Sequence, residues 1–205
     1  MTVPMALLAL LDSTPEAHGF ALKHRYDDVL GRGQELKYGQ VYSTLVRLER
    51  DGLARGVGVE QAGAPDRKLY AITAEGVTAL EEWLATPELP GGRPGQLFTR
   101  VVLALISGRS AAQVLDSHRA VYLARMRELT GARGSGDVVD RLARDLELAH
   151  LEADLAWVEL AGRRLAENPE IASQNTVNAP KDTVIAPEDT ASGPQNPTAA
   201  GEADQ

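Results

Sequence analysis

The chain has 205 residues, no cysteine and a formal net charge of −8, which bounds it to one or two domains and leaves no disulfide or thiolate chemistry. No apolar run approaches the roughly 20 residues that cross a bilayer, and the N-terminus lacks both a basic segment ahead of its apolar run and a small-residue cleavage site. Neither a membrane span nor a signal peptide is therefore expected, and a cysteine-free chain fits a reducing cytoplasm.

Pro4–Leu11 is almost wholly apolar and fits a buried helix. His18-Gly19-Phe20 opens a second helix, with Leu22, Tyr26, Val29 and Leu30 facing inward. Lys23 and Arg25 on that helix are placed either to touch phosphates or to face solvent. Leu36-Lys37 precede a third helix that runs to about Asp51, where Gly52 supplies a stop. At 100° per residue Val41, Leu45 and Leu48 share one narrow stripe, which faces the core. Gln40, Ser43, Thr44 and Arg47 form the outward set, with no carboxylate before Glu49 and Asp51. A major groove calls for such a face, because base edges need donors and acceptors and phosphates repel acids. Arg47 suits a bidentate contact to guanine and Gln40 one to adenine; any amphipathic helix, however, also has a polar outside. Tyr42 flanks the stripe, either as a core edge or with its hydroxyl on a phosphate.

Leu53–Val59 and Lys68–Thr73 alternate enough for two antiparallel strands, joined through the turn residues of Ala62–Asp66. Arg67 and Lys68 lie at the base of this hairpin. A basic hairpin beside a recognition helix reaches flanking phosphates and the minor groove, although Lys and Arg also guard exposed strand edges. Thr73 is a good N-cap for a helix over Ala74–Leu84, with Val77, Leu80, Trp83 and Leu84 on its apolar side.

Helix, helix, helix, basic hairpin and helix is the order of a winged helix-turn-helix. Three stretches carry a closer likeness: YGQVYSTLVRLERDGL at 38–53, GAPDRKLYAITAEGVTALEEWL at 63–84, and His18-Gly19 followed by an aromatic. In these the chain resembles the PadR family of bacterial transcriptional repressors. Two departures stand out. Ala64 occupies a place where many relatives carry arginine, and Ser43 follows Tyr42 where relatives often have proline. The resemblance implies that Gln40, Ser43, Thr44 and Arg47 read bases, while Lys23, Tyr38, Tyr42, Arg67 and Lys68 hold phosphates. It is specific over residues 5–85 and looser over 86–166.

Beyond the hairpin, Thr86–Gly95 carries three Pro and three Gly and reads as a linker. A short apolar helix over Gln96–Ile106 follows. Ser110 caps a long helix to about Leu129, Gly131–Gly136 breaks the chain, and a second long helix spans about Asp137–Ala166. This last helix has two apolar stripes. Val139, Leu142, Leu146, Ala149, Ala153, Ala156 and Leu160 form one; Leu148, Leu151, Leu155 and Val158 form the other. Two stripes need two partners. The preceding helix covers one and a second subunit the other, unless the last helix is wholly buried in a monomeric bundle. Residues 167–205 are Pro-rich, acidic and poor in large apolar side chains, so they are expected to be disordered.

No His or carboxylate spacing makes a metal site, no Gly-rich loop cradles a phosphate and no nucleophile motif occurs, so neither an enzyme nor a cofactor is expected. His118, Tyr122, Met126 and Trp157 are the aromatic and soft residues of the helical region. The resemblance makes them candidates for binding a small-molecule effector, against the plainer reading that they pack.

The expected fold is mainly α with a small two-stranded β-wing. Its segments are a DNA-binding winged helix-turn-helix over 1–85, a linker over 86–95, a helical dimerisation domain over 96–166 and an acidic tail over 167–205. The expected function is a transcriptional regulator acting as a homodimer on a near-palindromic stretch of double-stranded DNA. It is a repressor released by an effector, located in the cytoplasm and at the nucleoid when bound. Charge weighs against it: residues 1–85 hold nine basic and twelve acidic side chains. A winged helix used only for protein interaction, or a small-molecule sensor acting on another protein, is the rival reading.

Overall fold

The structure, a computed structural model, describes residues 2–31, 35–60, 67–88, 95–131 and 136–169. The expected wing turn at 62–66, most of the linker and the acidic tail beyond 169 lie outside the described residues.

Helix α1 (Thr2–Asp12) is the centre of the molecule, with Met5 to Leu11 all buried. A helix that is apolar all round needs neighbours all round, and here α2 (Gly19–Tyr26), α3 (Tyr38–Arg50), α4 (Ala74–Ala85) and α5 (Gln96–Ile106) all pack on it. The His18 ring caps α2 by accepting a bond from the Ala21 amide through Nδ1 at 3.0 Å. A π-helical turn over Asp27–Gly31 follows. Its Asp27 carboxylate accepts the Leu36 amide at 3.0 Å and pairs with Lys23 at 2.5 Å, which anchors the approach to α3.

The chain leaves α3 through Gly52, whose φ of +73° is a left-handed conformation that favours glycine. Strands β2 (Ala54–Glu60) and β3 (Arg67–Ile72) then pair antiparallel, with an irregularity between Gly56 and Gly58. A third strand corrects the two-stranded expectation. Residues Ala17–His18, as β1, pair with Tyr70 and Leu69 on the other edge of β3, giving the order β1-β3-β2. Two residues are too short to show alternation, and their partners lie some fifty positions away, so no local signal marks them. Thr73 caps α4 by accepting the Gly76 amide at 3.0 Å, and its hydroxyl donates to the Gly52 carbonyl at 2.7 Å. A Cβ on Gly76 would lie 2.0 Å from the Leu53 carbonyl oxygen, so only glycine lets α4 start against the exit of α3.

Helices α5, α6 (Ala111–Gly131) and α7 (Val138–Glu167) complete the fold. The core does not break at the proposed linker. Val101, Leu103, Ala104 and Ile106 of α5 join the same buried cluster as α1, and Val114 and Leu115 of α6 extend it. The described end of the linker is tied down as well. Arg100, 2% exposed, stacks its guanidinium 4.0 Å over the Trp83 ring, donates to the Trp83 and Thr86 carbonyls, and meets Glu88 at 2.5 Å. A second cluster of Tyr122, Leu129, Leu148 and Leu151 holds α6 to α7, beside an ion pair of Arg125 with Glu147 at 2.7 Å.

Asp137 starts α7 with a reciprocal cap, accepting from the Val139 and Asp140 amides while Asp140 accepts its own. The two stripes then part company. Leu148, Leu151 and Val158 are buried and Leu155 half-buried, whereas every member of the Val139–Leu160 stripe is exposed, Leu142 at 64% and Leu146 at 60%.

Candidate nucleic-acid interface

Helix α3 buries Val41, Thr44, Leu45 and Leu48. At 100° per residue, Gly39, Ser43, Val46 and Arg50 lie within about 30° of the direction opposite that set. All four are exposed, as are Gln40, Tyr42 and Arg47 on the flanks. Thr44 departs from the expected outward set: it is 5% exposed and its hydroxyl donates to the Gln40 carbonyl at 2.7 Å. A threonine mid-helix can satisfy its hydroxyl on the preceding turn and turn its methyl to the core. Ser43 makes a similar bond at 3.1 Å but stays exposed, so its hydroxyl oxygen remains free to accept.

Tyr42 rests on α2. A Cβ on Gly19 would sit 2.7 Å from the Tyr42 ring, so the glycine of the His18-Gly19 pair is the seat of that ring. Tyr38 stacks on Phe20 with centroids 5.6 Å apart, and its hydroxyl lies 3.3 Å from His24 Nε2. Arg67, from β3, places its guanidinium 5.0 Å over the other partner in this stack, Phe20. These contacts tie the start of α3, the first turns of α2 and the base of the wing into one exposed aromatic and basic surface. Phe20 and His24 were absent from the sequence-derived set. An aromatic at the start of a helix reads as core, and nothing local announces that this one is exposed.

Two expected phosphate ligands are otherwise engaged. Lys68 bonds both oxygens of Glu49, at 2.8 and 2.7 Å, and that contact raises its pKa and lowers that of Glu49. Glu49 also accepts the Gly56 amide at 3.2 Å, and a Cβ on Gly56 would strike Lys68 at 2.5 Å. Lys68 thus clamps the wing to α3. Lys23 is half-buried and held by Asp27, which raises its pKa. Arg50 pairs with its neighbour Asp51 at 2.9 Å. Lys37 and Arg47 remain exposed with no ion pair among the described residues. The acids Asp12 and Glu81 are drawn off by Arg109, which follows α5.

Of the candidate effector residues, His118 and Tyr122 adjoin, with ring centroids 5.9 Å apart, and Met126 shares the cluster of Tyr122, while Trp157 packs on the other cluster. His118 is 1% exposed; its Nδ1 lies 2.8 Å from the Val114 carbonyl and its Nε2 accepts the Glu88 amide at 3.3 Å. Those bonds fix a neutral ring, and burial lowers its pKa. Tyr122 is buried beside it, its pKa pushed up by burial to about 12.

Among the described residues no helix is long and apolar enough to cross a membrane, and no group of three or more His, Cys, Asp or Glu is placed to hold a metal.

Residues 7–82 match the transcriptional regulator PadR-like family, which is a family of regulators and not of enzymes. A curated protein of Mycobacterium tuberculosis, described as a probable transcriptional regulator, is 35% identical over 96 residues, which is 47% of this chain and 50% of that one. The chain thus spans about half the length of the curated relative it matches. Among solved structures, that of Bacillus subtilis PadR in complex with operator DNA is 21% identical, covering 78% of this chain and 97% of that chain, with a TM-score of 0.41. The Vibrio cholerae virulence activator AphA is 21% identical, covering 82% and 99%, with a TM-score of 0.36.

Proposed function

We propose that this chain, whose residues 7–82 match the PadR-like regulator family, is a sequence-specific regulator of transcription that binds double-stranded DNA as a homodimer. The observation that carries this is α3. Its buried set fixes it to α1, and the side turned to solvent offers Gln40, Ser43 and Arg47 to base edges with no unpaired carboxylate at its centre. Tyr38, Tyr42 and Arg67, held by Phe20 and Gly19, are suited to phosphates. The exposed stripe of α7 meets the same stripe of a second chain. Two-fold symmetry then presents two α3 helices to a near-palindromic operator, with half-sites one helical turn or a multiple apart. Binding blocks a promoter and acts at the nucleoid within the cytoplasm. Release by a small-molecule effector belongs to this reading without an assigned site.

The mild acidity of residues 1–85 favours a second reading, a winged helix kept for protein contacts. Selecting bound duplexes from a random library, then measuring gel shifts at two salt concentrations, separates the two. A regulator enriches a symmetric sequence and loses affinity steeply with salt. A protein-interaction module enriches nothing.

A further inference from the structure

The outward side of α3 contains one large apolar residue that the fold does not use. Val46 is 58% exposed, although the residue before it, Leu45, is fully buried. It lies on the solvent side of the helix between Ser43, Arg47 and Arg50. It is not the rim of the core, which lies on the opposite face with Val41, Leu45 and Leu48. Nor is it part of an apolar patch that would suit a protein. Its neighbours one turn away along α3 are Tyr42, Ser43, Glu49 and Arg50, three of them polar or charged, and the Glu49 carboxylate is held by Lys68. A surface of hydroxyl, guanidinium and a lone branched aliphatic group matches one chemical partner well. The major groove of DNA offers hydrogen-bonding edges and phosphates, and its only apolar group is the C5-methyl of thymine.

We infer that Val46 is a specificity-determining residue that packs on a thymine methyl in each half-site, and that the operator carries a thymine at that place. This inference rests on the proposed DNA-binding function and refines it. Polar groups of α3 choose among donor and acceptor patterns, but they do not distinguish thymine from uracil, which share those patterns. Val46 does. The side chain is β-branched and therefore nearly fixed within a helix, so it offers a rigid contact that little conformational entropy opposes.

The test uses the full chain and the duplex enriched from a random library. Each thymine of that duplex is replaced in turn by deoxyuridine, which removes only the methyl, and affinity is measured by fluorescence anisotropy. The expected result is one symmetry-related position per half-site at which wild-type binding weakens about fourfold per methyl, the worth of one such group withdrawn from water. The Val46→Ala protein, whose substituted side chain contributes nothing to the core, should bind both duplexes equally. Specific binding in which every thymine tolerates the loss, or a Val46→Ala protein that still senses the methyl, overturns the inference while leaving the DNA-binding function intact. Failure to enrich any duplex overturns both.

Discussion

Helices α3 and α7 each bury one side and expose the other, and the contents of the exposed sides differ. The exposed side of α3 is polar and basic around a single valine, while that of α7 carries Val139, Leu142, Leu146 and Leu160 with small alanines between. Both helices sit on the same continuous scaffold, so the contrast does not come from fold stability. A side rich in donors with one apolar group suits a grooved, charged polymer. A straight apolar stripe with alanines, which permit close approach, suits a helix like itself. What a helix leaves unburied therefore says which kind of partner it awaits.

Placing charge on the α7 stripe should break this contrast with the largest effect. With Leu142→Asp and Leu146→Asp together, sedimentation should change from a two-chain to a one-chain mass at micromolar concentration. Operator affinity should fall a hundredfold or more as the second half-site ceases to be intramolecular. Thermal unfolding of the separated chain stays intact, because both side chains already face solvent within one protomer. An unchanged mass would remove α7 as the dimer contact.

Arg100→Ala comes next, because it loosens the seam that holds the two surfaces in one body. The change strips the Trp83 and Thr86 carbonyls and Glu88 of their buried donor. Glu88 is about a third exposed and recovers water, so the loss belongs at about 3 kcal/mol, the low end for breaking a buried pair. Denaturant unfolding measures it. A change below about 1 kcal/mol would mean that the helical region is not braced through this residue.

Smaller and more selective is the pair Arg47→Ala and Lys68→Ala. Arg47→Ala should lower operator affinity roughly thirtyfold and relax base preference at one position. Lys68→Ala should leave the slope of affinity against salt nearly unchanged, since its charge is already spent on Glu49. A shallower slope for Lys68→Ala would show that the lysine leaves Glu49 for a phosphate when DNA binds.

Much of this was legible in the chain because periodicity reports which face is buried. The Val41, Leu45, Leu48 stripe and both stripes of α7 lie where 100° spacing puts them. Continuing the same wheel to the far side of α3 would also have found Val46 and Arg50. What was hidden depends on contacts between distant residues. The Glu49–Lys68 clamp joins positions 19 apart, Ala17 pairs with Tyr70, and Arg100 reaches back to Trp83. Thr44 was misplaced for a local reason: its hydroxyl found the Gln40 carbonyl, so a polar residue could sit in the core. The Pro- and Gly-rich stretch over 86–95 looked like a domain boundary, yet the segments on either side of it share one core.

The most direct measurement is hydroxyl-radical labelling of surface side chains, read by mass spectrometry, with and without the enriched duplex at a concentration that saturates the dimer. The account predicts that the duplex shields Tyr38, Tyr42 and Val46 and leaves Leu142 and Leu146 unchanged, while dilution of the free protein uncovers Leu142 and Leu146 alone. Unaltered labelling of Tyr38, Tyr42 and Val46 in the presence of bound duplex would contradict the assignment of α3 to DNA, and concentration-independent labelling of α7 would contradict its assignment to a second chain.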